Sequence, residues 1–245
     1  MQNAIRRLYL LVALAAVGAT GLFAGYLPAG TPDTIALLAP PPAAGSAEAK
    51  ADLENTFVIH SSATPAEIAL AKDENKLTIF HFAPAIGAWF TPGKLPKTEA
   101  LFKAIEAESK AATDSAKKVY QRPRPYHLEP ARFPHSVEHE DPTHYSYPSG
   151  HSTRGTVFAL LLAELFPDKR EAILAKGREA GWLRVQGGVH FPTDVYAGRV
   201  LGQELARDFL RSESFQRDFA EARAELAAAI KQPATLAQVS PAPAR

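Results

Sequence analysis

The tetrapeptide Pro-Ser-Gly-His at residues 148–151 combines a backbone suited to anion binding with a titratable side chain. The apolar stretch 149–165 predicts a helix that begins here, and the free N–H groups and positive dipole of a helix N-terminus bind anions. A protonated histidine in the first turn opposes the dipole unless an anion lies beside it. A histidine at this position therefore favours a bound anion beside it. An alternative that fits these residues equally well is that Ser149 serves only as a helix N-cap.

A second histidine, His190, stands four residues before Asp194 and directly follows a flexible Gly-Gly-Val turn. Asp194 lies at the predicted start of the next helix, so its carboxylate can hydrogen-bond the imidazole. Such a bond fixes the tautomer and leaves the other ring nitrogen free as a nucleophile. Taken alone, a His-Asp pair at this spacing is most often a surface feature. Arg184, six residues before His190, adds a cation to the same segment.

Residues 117–125 place four cations in eight residues, where a predicted helix meets a proline-rigid turn. Arginine offers a planar fork of donors to phosphate oxygens, and lysine adds a mobile point charge. Lys117 and Arg124 are the outermost pair. The alternative is a basic helix C-terminus that merely complements the helix dipole.

Together the three segments resemble the signature of the type 2 phosphatidic acid phosphatase (PAP2) superfamily. The signature reads Lys-x6-Arg-Pro at 117–125, Pro-Ser-Gly-His at 148–151 and Arg-x5-His-x3-Asp at 184–194. From about residue 26 to 211 the chain is similar to the class A bacterial non-specific acid phosphatases. The resemblance implies an all-α fold, a single compact helical domain of the PAP2 and vanadium haloperoxidase type. One departure is Leu183, where the family usually has a phosphate-binding serine.

The resemblance further implies an exported acid phosphatase that hydrolyses phosphate monoesters with broad specificity, through a phosphohistidine and without metal or other cofactor. It makes His190 the nucleophile, Asp194 the residue that orients it, and His151 the general acid and base. Expected ligands are small phosphomonoesters and inorganic phosphate, with an acidic pH optimum. The implied phosphate-binding residues are Lys117, Arg124, Ser149, Gly150 and Arg184.

Three other functions remain open from the sequence. Vanadium haloperoxidases share the motifs but are typically much longer chains. Lipid or polyprenyl-pyrophosphate phosphatases generally carry several membrane spans, and no window after residue 30 is apolar enough for one. A phosphate-binding protein without catalysis needs no proton donor, which His151 and the pair of His190 with Asp194 argue against.

The loop at 122–148 contains four histidines, interspersed with acidic residues, that raise the question of a metal site. Residues 135 and 139 have helical spacing, but prolines on both sides give no helix to align them. We therefore expect no metal there and a loop that shapes the pocket mouth. The histidines are His127, His135, His139 and His144.

The composition excludes several classes of protein. Lys and Arg number 27 against 26 Asp and Glu, so the net charge of +1 gives no broad nucleic-acid surface. The absence of cysteine excludes disulfides, thiolate metal sites and thiol catalysis. Class A relatives often form homo-oligomers, but no residue pattern here marks an interface.

The remaining sequence indicates how the chemistry is positioned. The sequence of residues 1–25 predicts an export signal that is cleaved between about residues 19 and 30. After cleavage, we expect the protein to be in the periplasm or secreted, without stable membrane association. A retained anchor is the alternative. A proline-rich extended segment is predicted at 26–45, with Leu37 and Leu38 packed on the globule. Residues 46–230 are the predicted all-α phosphatase domain, and 231–245 a disordered tail.

Within that domain, Thr64-Pro65-Ala66-Glu67 predicts a helix N-terminus with a capping box. Apolar spacing predicts a helix from Thr98 that buries residues up to Val119. A short strand is possible at 76–82, and 122–148 reads as an irregular loop. Further helices are predicted at about 168–184, 194–210 and 214–230.

Overall fold

The computed structural model describes residues 25–134, 136–137 and 144–231. Over these residues the chain is helical and has no β-strand, which confirms the all-α prediction. Residues 1–24 and 232–245, on which the predicted signal peptide and tail fall, lie outside the described residues, as do His135 and His139. The α-helices are α1 (Thr34–Leu37), α2 (Ala47–Ser62), α3 (Pro65–Asp73), α4 (Ala83–Ile86), α5 (Pro96–Tyr120), α6 (Pro125–Leu128), α7 (Gly150–Leu165), α8 (Arg170–Gln186), α9 (Pro192–Arg211) and α10 (Glu213–Lys231).

Helix α7 is the centre of the fold and packs mainly against α8 and α9. Its sequence is apolar on most sides, so it is buried rather than amphipathic. Val157, Phe158 and Leu161 are among its fully buried side chains. Because the Ser-Gly-His motif begins this helix, the candidate site is built on the most enclosed element of the molecule.

Glycines on α9 set how closely that helix approaches α7. A Cβ on Gly198 would lie 2.6 Å from the carbonyl oxygen of Ser149, and one on Gly202 would lie 2.6 Å from that of Thr153. Real Cβ atoms do not come so close, so the glycines are needed for this packing. The approach brings the first turn of α9, which carries Asp194, against the first turn of α7.

Helix α8 packs on α7 through a similar contact, which gives a test of the packing. A Cβ on Gly177 would lie 2.4 Å from the Cβ of Ala159 and 2.8 Å from the carbonyl oxygen of Gly155. Overpacking of this kind costs about 1–3 kcal/mol and outweighs the helix propensity that alanine gains. We expect Gly177→Ala to lower the free energy of unfolding, measured by urea denaturation, by about 2 kcal/mol. Ala175→Leu, on the exposed face of α8, should change it by less than about 0.5 kcal/mol; equal effects would contradict this packing.

Several predicted helix boundaries are confirmed. Helix α3 begins with Pro65, and Thr64 and Glu67 form the predicted capping box. Helix α5 begins two residues earlier than predicted, at Pro96, and runs to Tyr120. The prediction that Val119 is buried is wrong, since 60% of it is exposed in the last turn of α5.

The predicted strand at 76–82 is also wrong. Ile79–Phe82 forms a 3-10 helix, whose first turn is capped by the Thr78 hydroxyl. Ile79 and Phe82 are buried in the main core, so tertiary packing decides the conformation of this β-favouring segment. The loop at 122–148 likewise contains α6 and a 3-10 turn at Pro130–Arg132.

The N-terminal segment packs along α5 and α10. It is mostly non-helical, as predicted, except for the single turn of α1, which Asp33 caps. Leu38 is buried, and Leu37 packs against the core. The Tyr26 hydroxyl donates to Asp218 on α10 at 2.6 Å. None of the described helices is both long and apolar enough to cross a bilayer.

Candidate active site

A pocket of about 160 Å³ lies between α5, the first turn of α7 and the segment that precedes α9. The three sequence motifs, which are far apart in the chain, all contribute to its wall. Larger cavities, such as one of about 910 Å³ beside His60 and one of about 680 Å³ beside Arg122, are lined by none of the eight predicted site residues. The pocket is lined by Glu106, Lys110, Thr113, Asp114, Lys117, Arg124, Gly150, His151, Arg154 and His190.

Of the eight predicted site residues, five therefore line the pocket. The other three lie directly behind its wall and are fully buried. They are Ser149, Arg184 and Asp194.

His190 is buried, with Nδ1 on the side of Asp194 and its ring at the pocket wall. The Nδ1 atom lies 3.3 Å from Asp194 Oδ2 and 3.3 Å from the Ser146 hydroxyl. These contacts occupy Nδ1 and leave Nε2 for the pocket. Burial, together with the positive charges of Arg124, Lys117 and Arg184, holds the pKa of His190 well below its ordinary value. A lowered pKa favours the neutral imidazole, which is the form that can act as a nucleophile.

The carboxylate of Asp194 is completely buried and accepts hydrogen bonds at both oxygens. Oδ2 accepts from the Ser146 hydroxyl at 2.5 Å and from the Phe191 N–H at 2.9 Å. Oδ1 accepts from the Arg122 guanidinium at 2.6 Å. A buried carboxylate with an ion-pair partner and several donors is a fixed hydrogen-bond acceptor for His190.

The first turn of α7 forms the floor of the pocket. Gly150 is the first helical residue, and the Ser149 side chain caps the helix by accepting from the Ser152 N–H at 3.3 Å. The Ser149 N–H donates to the backbone oxygen of Asp194 at 3.0 Å, which ties the start of α7 to the start of α9. The positive end of α7 thus points into the space beside His190.

His151 lies in the first turn of α7, and its Nε2 is 3.0 Å from the backbone oxygen of Asn75. Burial and the positive charges of Arg184 and Arg154 hold the pKa of His151 well below its ordinary value. A phosphate dianion in the pocket opposes these charges, because it favours the protonated ring. We therefore expect an anion bound in the pocket to favour the protonated form of His151.

The predicted phosphate-binding cations approach from different elements. Lys117, in the last turn of α5, donates to the backbone oxygen of Tyr145. Arg124 is buried, and its Nε donates to the backbone oxygen of His144 at 3.0 Å. Arg184, on α8, has no exposed surface and donates to Asn75 Oδ1 at 2.6 Å. Each cation is thus held by oxygen acceptors of neighbouring segments.

Sequence reasoning missed three polar residues that hold the site together. Ser146 contacts both His190 and Asp194, Asn75 contacts both His151 and Arg184, and Asp52 binds Arg122. Asn75 lies 76 residues from His151, so no local spacing connects them. Only Ser146, two residues before the Pro-Ser-Gly-His motif, has a sequence signal that draws attention to it.

Two ion pairs also line the pocket. Arg154 on α7 pairs with Glu106 on α5, and Lys110 pairs with Asp114 within α5. The two positive and two negative charges of these pairs cancel one another. Among the residues that the structure describes, no group of three or more histidine and acidic side chains is arranged to hold a metal ion.

Comparison with known proteins identifies the family of the chain. The model of the PAP2 superfamily matches residues 101–212. The non-specific acid phosphatase of Providencia stuartii is 31% identical over 206 residues, which cover 80% of this chain and 81% of the relative. The non-specific acid phosphatase of Salmonella typhimurium is 38% identical over 154 residues, and the chain spans 59% of its length. A lipid A 1-phosphatase of Rhizobium etli is 46% identical, but over only 57 residues.

The chain belongs to the PAP2 superfamily, and its helical fold brings the three motifs to one pocket. Within it, the curated relatives at 31–38% identity are named non-specific acid phosphatases, and the chain spans 59% of the length of the two from Salmonella. The resemblance noted from the sequence is thereby confirmed.

Proposed function

We propose that this protein is an acid phosphatase that hydrolyses small phosphate monoesters through a phosphohistidine on His190, without a metal cofactor. One observation carries the proposal above all. A buried His190 with a lowered pKa, held by Asp194 at Nδ1, faces a pocket that also contains His151, Lys117 and Arg124. Nucleophile, proton donor and anion-binding groups are the three components that phosphoryl transfer to an enzyme side chain requires.

In the first step, the lone pair on His190 Nε2 attacks the phosphorus and forms an N–P bond. The P–O bond to the alcohol breaks on the opposite side, and its electron pair leaves with the alcohol oxygen. Protonated His151 gives its proton to that oxygen, so a neutral alcohol departs. Proton donation of this kind is worth about 10²–10⁴-fold in rate.

In the second step, water enters at the position of the departed alcohol. His151, now neutral, takes a proton from the water as the oxygen attacks the phosphorus. The N–P bond breaks, which releases inorganic phosphate and restores neutral His190. Asp194 stabilises the positive charge that the imidazole carries while it is phosphorylated.

The negative charge of the transferring phosphoryl group is balanced by protein groups. Lys117, Arg124 and Arg184 supply three positive charges, and Gly150 supplies an N–H at the positive end of α7. Ser149 adds a hydroxyl beside the same helix end. These groups take the place that Mg²⁺ fills in many phosphoryl-transfer enzymes, which is why we propose a metal-independent reaction.

A panel of substrates tests this function. We expect turnover of nucleotides, sugar phosphates and aryl phosphates between pH 4 and 8, full activity in EDTA, and inhibition by vanadate. Short-chain phosphatidic acid in the same panel tests lipid hydrolysis, and bromide oxidation by peroxide after vanadate loading tests a haloperoxidase. Phosphate binding without turnover of any ester, or activity only after a metal is added, would overturn the proposal.

The pH dependence of turnover follows from the charges around His151. The general acid acts only when protonated, so activity falls as the pH rises through the pKa of His151 in the enzyme–substrate complex. Arg154 lowers that pKa, and removing its charge raises it. We expect Arg154→Gln to move the basic limb of the kcat profile to higher pH. Arg207→Gln, on the exposed surface of α9, should leave it in place; a shift to lower pH with Arg154→Gln would contradict this role.

We also propose that residues 1–25 direct export and are removed, and that residues 26–45 and 46–230 form the working enzyme in the periplasm or outside the cell. The positive residues before an apolar run support this assignment. Mass spectrometry of the mature protein from a fractionated bacterial host tests it. An intact N-terminus in the cytoplasm or the membrane fraction would contradict it.

A further inference from the structure

Arg122 belongs to the basic segment at 117–125 but does not line the pocket. Its guanidinium lies between two carboxylates, with Nη1 2.6 Å from Asp194 Oδ1 and Nη2 2.7 Å from Asp52 Oδ2. The side chains are almost fully buried, with exposed fractions of 9% for Arg122, 4% for Asp52 and 0% for Asp194. The Arg122 guanidinium also stacks 3.9 Å from the ring centre of Phe191. The arrangement is therefore a buried, geometrically fixed cluster behind the nucleophile.

We propose that Arg122, itself held by Asp52, is a positioning residue that acts on His190 through Asp194 and is not a ligand of the phosphate. This inference rests on the proposed function in one respect, the role of His190 as nucleophile. It adds helix α2, which carries Asp52 and lies outside the matched residues 101–212, to the parts of the chain that build the site.

The first argument is geometric. The two oxygens of Asp194 have separate tasks, since Oδ1 binds Arg122 while Oδ2 faces His190 Nδ1. A charge-assisted bond at Oδ1 prevents the carboxylate from rotating. Oδ2 therefore stays directed at Nδ1, and His190 keeps the tautomer in which Nε2 has its lone pair toward the pocket.

The second argument concerns charge. An arginine paired only with Asp194 would neutralise the carboxylate on which the imidazole depends. Asp52 supplies a second negative charge, so the cluster of Asp52, Arg122 and Asp194 carries a net charge of −1. In a buried environment that charge stabilises the imidazole as phosphorylation makes it positive.

Thr193 completes the cluster and connects it to the start of α9. Its hydroxyl donates to Asp52 Oδ2 at 2.5 Å and accepts from Arg122 Nη1 at 2.7 Å. Its backbone N–H lies 3.3 Å from Asp52 Oδ1. Since Thr193 directly precedes Asp194, Asp52 fixes the backbone as well as the guanidinium.

Kinetics of Arg122→Gln and Asp52→Asn test the proposal. We expect kcat to fall by roughly 10²-fold in each, because the nucleophile loses its alignment, with KM and the vanadate inhibition constant changed less than about threefold. If Arg122 binds phosphate instead, KM and the vanadate constant will rise together with the loss of kcat, and that result would overturn the proposal.

Arg132 offers a matched control. It also pairs with a carboxylate of α2, Glu54 at 2.6 Å, and stacks on an aromatic ring, Phe57 at 4.0 Å, but it lies away from the pocket. If Arg122 only tethers α2 to the rest of the molecule, Arg132→Gln will reduce kcat to a similar degree. We expect Arg132→Gln to retain kcat within about twofold.

A spectroscopic measurement tests, independently of activity, whether Asp52 and Arg122 position His190. In protein labelled with ¹⁵N-histidine, the His190 signal is identified by its loss in His190→Gln, and its shifts report the tautomer. We expect the Nδ1–H tautomer in the wild type and a mixture of tautomers in Asp52→Asn, whose side chain has the same shape. An unchanged tautomer in folded Asp52→Asn would overturn the proposal, even if Arg122→Gln failed to fold. If His190→Ala remained active, the proposed function would be wrong. The tautomer measurement would still show whether Asp52 and Arg122 position the His190 ring.

Discussion

Replacing His190 with alanine is expected to lower kcat on p-nitrophenyl phosphate by about 10⁴-fold or more, as loss of a covalent nucleophile does in other enzymes. The reason is that the variant has no atom at the position of Nε2 to accept the phosphoryl group. The neighbouring Asp194 and His151 are held by other contacts, Asp194 by Ser146 and His151 by Asn75. Steady-state kinetics on purified variant protein make the measurement.

His81→Ala is the matched control for this experiment. His81 also hydrogen-bonds through Nδ1, but to Thr78 in a 3-10 turn away from the pocket, and its loss should leave kcat within about threefold. Vanadate binding should persist in folded His190→Ala, because the cations of the pocket are unchanged. Retention of more than about a tenth of the wild-type kcat would contradict the role of His190.

Replacing His151 with glutamine is expected to produce a loss that depends on the alcohol. For an alkyl phosphate, whose leaving group needs a proton, kcat should fall by about 10³-fold. For p-nitrophenyl phosphate, whose leaving group is stable as an anion, phosphorylation of the enzyme should be far less affected. The ratio of kcat/KM for the two esters, measured in wild type and variant, isolates the proton-donor role.

A structural role for His151 predicts a different result. If the imidazole only supports the first turn of α7, through its contact with Asn75, both esters will lose activity to the same degree. Equal losses would therefore count against His151 as general acid. Asn75→Ala provides a comparison, because it keeps the backbone oxygen that His151 contacts and removes only the side chain that binds Arg184.

Five of the ten residues that line the pocket were predicted from the sequence, because each motif is local and the PAP2 resemblance joins the three motifs. A Ser-Gly-His at a helix start, or a histidine four residues before an aspartate, determines its own geometry within one turn of chain. Lys117, Arg124, Gly150, His151 and His190 accordingly line one pocket. The supporting contacts were not predictable in this way. Asp52 reaches Arg122 across 70 residues, and no spacing rule connects residues that meet only through tertiary packing.

The same distinction holds for the fold. Helices with a clear cap or apolar period, such as α3 and α7, appear where the sequence predicts them. The segment Ile79–Phe82 has β-favouring residues but forms a 3-10 helix, since burial in the core decides its conformation. Arg122 shows the limit for charges, because the sequence places it in a basic segment but does not indicate that its contacts are with two carboxylates.

Rapid-quench trapping of the phosphorylated enzyme tests the central claim most directly. Protein mixed with ³²P-labelled substrate, quenched within milliseconds and digested under alkaline conditions, should yield a label that is stable to base, labile to acid and located by mass spectrometry on the peptide containing His190. The label should be absent from His190→Ala and should appear and decay at rates consistent with kcat. A label on another residue, or turnover with no phosphoenzyme at any time, would contradict the phosphohistidine mechanism.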